Sequence, residues 1–277
     1  MDGSPLYYSF AWLKNTHPAM QKKYHHLFFD LDRTLWDFDK SAEEAFEEIY
    51  NKYKLQDRGI KTVEDFHQVY THHNNILWEE YRHGRIEKKV LSSLRYFLTL
   101  KDFGIEDKKL AADIGRDYLE ISPRKVNLFP NAIFILDYLS PKYALHLITN
   151  GFSEVQETKL LVSGLGAYFQ TVITSEEAGV KKPNPEIFHF ALKKSGADID
   201  NSLMIGDDFE VDIVGAKNVG MDQVLFDPER KYQTSKRFYD DTKKPLTSKR
   251  LNEAAEKPLR SLSTFTIRDL AELKGFL

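Results

Sequence analysis

The stretch HHLFFDLDRTLWDFD, residues 25–39, constrains the fold of this chain more than any other segment. Its apolar run, Leu27-Phe28-Phe29, stops at two acids one residue apart, Asp30 and Asp32, with Thr34 just beyond. A short apolar run without polar alternation reads as a strand buried on both faces, the kind found in parallel sheets. Parallel sheets bind ligands beyond the carboxyl ends of their strands, and that is where these acids fall.

The pattern recurs at Tyr24–Phe29, Ala144–Ile148, Thr171–Thr174, Ser202–Ile205, Gln223–Phe226 and Thr264–Ile267. Helical periodicity separates several of these runs, as in Pro185–Ser195 and Glu210–Asn218. Alternating strands and helices predict an α/β fold with a doubly wound, mostly parallel sheet. Between about residues 39 and 124 the period changes. Ser41 and Glu44 have capping-box spacing, Thr62 and Asp65 open a second helix, and His83-Gly84 closes it. Further helices are expected at Glu87–Leu100 and Asp107–Leu119. An all-helical domain is therefore expected at 39–124, inserted into an α/β core of 23–38 and 125–277. Residues 1–22 read as an N-terminal extension, with Met20 open as an internal start. Residues 229–260 carry ten Lys or Arg against five Asp or Glu and read as a solvated basic insertion.

The chain has 277 residues, a formal charge of −3 and no cysteine. Cysteine nucleophiles, thiolate metal sites and disulfides are thereby excluded. The charge gives no reason to expect nucleic acid as a partner, and no apolar run is long enough to cross a bilayer. A cytoplasmic location is the expectation, with monomer and homodimer both open.

Three strand ends carry polar clusters: Asp30; Thr149-Asn150-Gly151; and Gly206-Asp207-Asp208. In a parallel sheet all three converge on one edge. Carboxylates crowded there repel one another unless a cation intervenes, and oxygen-only ligands suit Mg²⁺. Lys181 and Lys182, just before Pro183, add positive charge. Acids, Mg²⁺, a hydroxyl and a lysine suit phosphoryl transfer, in which one aspartate attacks phosphorus and the other moves protons.

DLDRT (30–34), Thr149 after a strand, Lys182 before Pro183 and GDDFEVD (206–212) resemble the four motifs of haloacid dehalogenase superfamily phosphatases, in order. The helical insertion resembles that superfamily's small helical cap. FDLDRTLWDFD is most similar to the bacterial pyrimidine 5′-nucleotidase branch. The resemblance implies Asp30 as nucleophile and Mg²⁺ ligand, and Asp32 as general acid/base with its carbonyl on the metal. Thr149 and Asn150 would hold the phosphoryl oxygens, and Lys182 would pair with nucleophile and phosphate. Asp207 would complete the metal ligands, with Asp212 in its outer shell. The implied activity is Mg²⁺-dependent hydrolysis of a small phosphomonoester, foremost a nucleoside 5′-monophosphate. A phosphomutase or sugar-phosphate phosphatase is the alternative, and a phospho-accepting regulatory module the remoter one.

Other residues read more plainly. Asp208 is expected as a helix cap, Trp36 as packing and Lys181 as a solvated neighbour. Arg95 and the Trp78-Glu79-Glu80-Tyr81 stretch are assigned to a solvated helix face. His25-His26 and His72-His73 are poor metal pairs, because adjacent side chains diverge on helix and strand alike.

Overall fold

Six short strands lie side by side in one sheet, all parallel, in the order β3-β2-β1-β4-β5-β6. They are β1 (His26–Phe29), β2 (Ala144–Thr149), β3 (Thr171–Thr174), β4 (Ser202–Gly206), β5 (Asp222–Phe226) and β6 (Thr264–Ile267). The computed structural model describes residues 24–232 and 264–277. The N-terminal extension and most of the basic insertion therefore lie outside the described residues.

The strands lack alternation because both faces are buried. Leu27, Phe29, Leu145, Leu147, Leu203 and Ile205 face one core, closed by α5 (Ala132–Leu139), α6 (Ser153–Ser163) and the C-terminal Leu270 and Leu273. Phe28, Ile148 and Met204 point the other way, onto Ile187, Phe188 and Ala191 of α7 (Pro185–Ser195). Period-two geometry thus feeds two cores from one apolar run. Register aligns Phe29 with Leu147 on one side and Ile205 on the other. The ends of β1, β2 and β4 consequently open at one level, where the strand order reverses.

Between β1 and α5 the chain forms α1 (Phe38–Lys52), α2 (Val63–Arg82), α3 (Lys88–Asp102) and α4 (Lys108–Ile121). These helices bury a core of their own, rich in rings: Phe46, Phe66, Tyr70, Tyr96 and Tyr118, with Ile49, Leu100 and Ile114. Thr62 caps α2 by accepting from the Asp65 N–H at 3.1 Å, as its spacing predicts. At α1 the expectation is corrected. Asp37 is the cap, accepting from the Lys40 N–H at 3.1 Å, and Ser41 lies inside the helix bonded to the Asp37 carbonyl. Both side chains suit a cap; the earlier one is reached first, so it starts the helix.

His146 on β2 is buried beside His26, the two rings sharing a 3.1 Å hydrogen bond. Burial, then the neighbouring imidazole, pushes His146 down to about 4. The folded chain therefore refuses a proton that the unfolded chain accepts near pH 6.5. Stability from this site is full above pH 6.5 and is lost as the pH falls toward 4. Denaturant melts should show wild type losing about 1–3 kcal/mol more than His146→Leu across that window. Parallel curves for the two proteins would contradict the assignment.

Candidate active site

Phe29 is the last residue of β1, and the Asp30 N–H still donates to the Ile205 carbonyl at 2.9 Å. The chain then turns tightly, the Leu31 carbonyl accepting from the N–H groups of Thr34, Leu35 and Trp36. Arg33 takes the turn at φ +62°, a left-handed conformation that costs a non-glycine residue on the order of 1 kcal/mol. Its guanidinium is held by Asp39 at 2.7 and 2.9 Å and lies over the Phe38 ring.

Asp30 is buried, and so is Lys182, whose Nζ donates to Asp30 Oδ1 at 2.6 Å, Asp212 Oδ1 at 2.7 Å and the Ile148 carbonyl at 2.7 Å. Three acceptors match the three protons of an ammonium. Asn150 fixes the lysine's backbone, accepting from the Lys182 N–H at 2.8 Å and donating to its carbonyl at 2.9 Å. The Lys182–Pro183 peptide is cis. Thr34 Oγ1 bridges Asp30 at 3.4 Å and Asp207 at 3.5 Å. Gly206, closing β4, admits this packing: a Cβ there would stand 2.3 Å from Asp212 Oδ2.

Carboxylate oxygens of Asp30, Asp207 and Asp212 lie within 4.8 Å of one another. One ammonium stands against three carboxylates, and the imbalance shows in their acidity. Burial, partly offset by Lys182 and reinforced by Asp212, pushes Asp30 up to about 7. Burial, then Asp30 and Asp212, raises Asp207 well above the carboxylate range. Burial works to neutralise Lys182, but Asp212 and Asp30 overcome it and keep the ammonium charged. A compact, oxygen-only, anionic donor set of this kind fits a hard divalent cation such as Mg²⁺.

Asp32 sits apart from that cluster. Its carboxylate accepts from Gln156 Nε2 at 2.8 Å and forms a short ion pair with the buried Lys159. Gln156 also donates to Thr149 Oγ1 at 2.8 Å, tying the end of β2 to the turn after β1. A Cβ at Gly151 would occupy the Gln156 amide, 2.0 Å from its nitrogen, which explains the glycine. Gln156 and Lys159 were not legible as site residues. Their only signal is two polar groups, three apart, on the buried side of α6.

Asp30, Asp32, Thr149, Asn150, Lys182, Asp207 and Asp212 all line one cleft of about 510 Å³, which α2 completes with Asn74, Trp78 and Arg82. Asp208 caps the following π-helical turn (Phe209–Val214) through the N–H groups of Glu210 and Val211, the structural role expected of it. Trp36 is fully buried, which leaves packing as its role.

Three expectations need correction. Arg95 is not solvated: it is 3% exposed and donates to Asn74 Oδ1 at 2.8 Å. Trp78 and Tyr81 leave the solvated face to pack on Phe152 at the head of α6. Lys181 lies 3.9 Å over the Tyr81 ring. In each case the helices fold back on the core or on one another, and periodicity within one helix does not report what a second element covers.

A family description, haloacid dehalogenase-like hydrolase, matches residues 24–220. The chain is 33% identical over 200 residues to the pyrimidine 5′-nucleotidase YjjG of Escherichia coli, covering 72% of this chain and 84% of that one. It is 33% identical over 209 residues to a glyceraldehyde 3-phosphate phosphatase of Methanothermobacter thermautotrophicus, covering 73% and 85%. Among solved structures, the magnesium-bound putative HAD-hydrolase YfnB of Bacillus subtilis superposes with a TM-score of 0.74 at 24% identity. That match covers 92% of this chain and 99% of YfnB. The family match runs from β1 through β4 and takes in the helical insertion and the strand ends that carry Asp30, Thr149 and Asp207: the chain is an enzyme of the haloacid dehalogenase-like hydrolase family.

Proposed function

We propose that this enzyme hydrolyses phosphomonoesters with Mg²⁺ through an aspartyl-phosphate on Asp30, and that nucleoside 5′-monophosphates, pyrimidine ones foremost, are its substrates. One observation carries the chemistry. The buried Asp30 is charge-paired to Lys182 beside two further carboxylates, with a second, separately held acid on the rim of the same cleft. The substrate class is supported by the likeness to a pyrimidine 5′-nucleotidase and by a cleft large enough for a nucleotide.

Asp30 Oδ2, the oxygen not bonded to Lys182, is the nucleophile. It attacks phosphorus in line with the ester oxygen, forming an acyl phosphate as the ester bond breaks. Thr149 and its neighbouring amides meet the phosphoryl oxygens, and the Lys182 ammonium, its three protons already held, offsets the negative charge beside them. Asp32 gives its proton to the leaving alkoxide, then takes one from the water that attacks the acyl phosphate. Lys159 and Gln156 aim Asp32 and stabilise the carboxylate it becomes between the two proton transfers. Bound Mg²⁺ would be held by Asp30 and Asp207, with Asp212 behind them, and supplies positive charge to the transferring group. The helices above the cleft exclude water while the phosphoryl group moves.

With saturating Mg²⁺ the melting temperature should rise by on the order of 5 °C or more, and Asp207→Asn should lose most of that rise. In a phosphate-release panel, uridine and thymidine monophosphates should outrun glyceraldehyde 3-phosphate. Faster release from the triose phosphate would reassign the substrate class. Absence of release from every phosphomonoester would end the proposal.

A further inference from the structure

Arg95 is the most conspicuous group that the chemistry leaves unused. It is buried in the four-helix core with no carboxylate partner among the described residues. Instead its guanidinium carbon lies 5.0–5.7 Å from the ring centres of Tyr70, Tyr96 and Tyr118. Its hydrogen bond goes to Asn74 Oδ1 at 2.8 Å, and the Tyr70 hydroxyl donates to that same oxygen at 3.2 Å.

An arginine has donors only, so the Asn74 atom beside it must be the carbonyl oxygen. The amide is thereby fixed in one orientation. Its nitrogen has no partner among the described residues and is not sealed from solvent, and Asn74 lines the cleft. A buried cation on the carbonyl also polarises the amide and strengthens its N–H donors.

Resting on the nucleotidase reading above, we infer that Asn74 is a specificity residue: its amide N–H groups, set by Arg95, donate to an oxygen acceptor on the leaving group, such as a pyrimidine keto oxygen. Arg95 is a positioning residue for it and touches no substrate.

Asn74→Asp is the informative variant. It keeps both acceptor contacts and gives Arg95 a counter-charge, so the fold should hold, as its melting temperature will record. It also replaces the donor with an acceptor facing the substrate. The ratio of kcat/KM for uridine monophosphate to that for acetyl phosphate, which is too small to span the cleft, should fall about 10- to 100-fold. Uridine binding, measured calorimetrically without turnover, should weaken at least about tenfold. An unchanged ratio with unchanged uridine affinity would overturn the inference, as would a wild-type chain that does not bind uridine. Uridine binding without phosphate release would instead overturn the hydrolase reading and leave Asn74 standing.

Discussion

Asp30→Asn should lose at least about 10³-fold in kcat while folding as well as the wild type. The amide is isosteric and its oxygen can still accept the Lys182 hydrogen bond that spans 2.6 Å in the wild type. What disappears is the negative oxygen proposed to attack phosphorus. The substitution also removes one of three crowded carboxylates, so without divalent cation the variant should melt no lower than wild type, and higher if repulsion dominates. The stabilisation by Mg²⁺ should shrink with the lost ligand charge. Loss of activity without loss of fold separates a chemical role from a structural one. Near-normal turnover in Asp30→Asn would remove the nucleophile from the account.

Lys182→Met should behave differently, losing both fold stability and rate. The side chain is 1% exposed and its ammonium satisfies Asp30, Asp212 and the Ile148 carbonyl. Methionine fills much of the volume but leaves those acceptors buried and unpaired. Removing one partner of a buried ion pair costs about 3–5 kcal/mol, partly recovered here as the carboxylates take up protons. Turnover should fall by on the order of 10²–10³-fold, since the positive charge beside the proposed nucleophile is gone. Lys182→Arg should not rescue it, because a planar fork cannot meet three acceptors around one nitrogen. A denaturation midpoint equal to wild type would contradict the network.

The sheet was legible because burial on both faces leaves a plain trace. Runs such as Leu27-Phe28-Phe29 and Leu203-Met204-Ile205 are apolar at every position, and register then brings their polar ends together. The acids at those ends were legible for the same reason: nothing else explains charge directly after such strands. Less legible was whatever depends on two elements meeting. Gln156 and Lys159 matter only because α6 passes beside the turn after β1, a juxtaposition 124 and 127 residues apart in sequence. Arg95 looked like a surface arginine until α2 and α4 brought Tyr70 and Tyr118 over it. Helix ends were misread by a few residues where two cap-forming side chains, Asp37 and Ser41, competed.

The central claim is that Asp30 itself takes the phosphoryl group. Acid quenching during steady-state turnover of uridine monophosphate, followed by peptide mass mapping, addresses it directly. The account predicts one phosphoryl group on Asp30, lost on treatment with hydroxylamine and absent from Asp30→Asn. A phosphoryl group mapped to any other residue, or full turnover with no trapped phosphoenzyme, would contradict it.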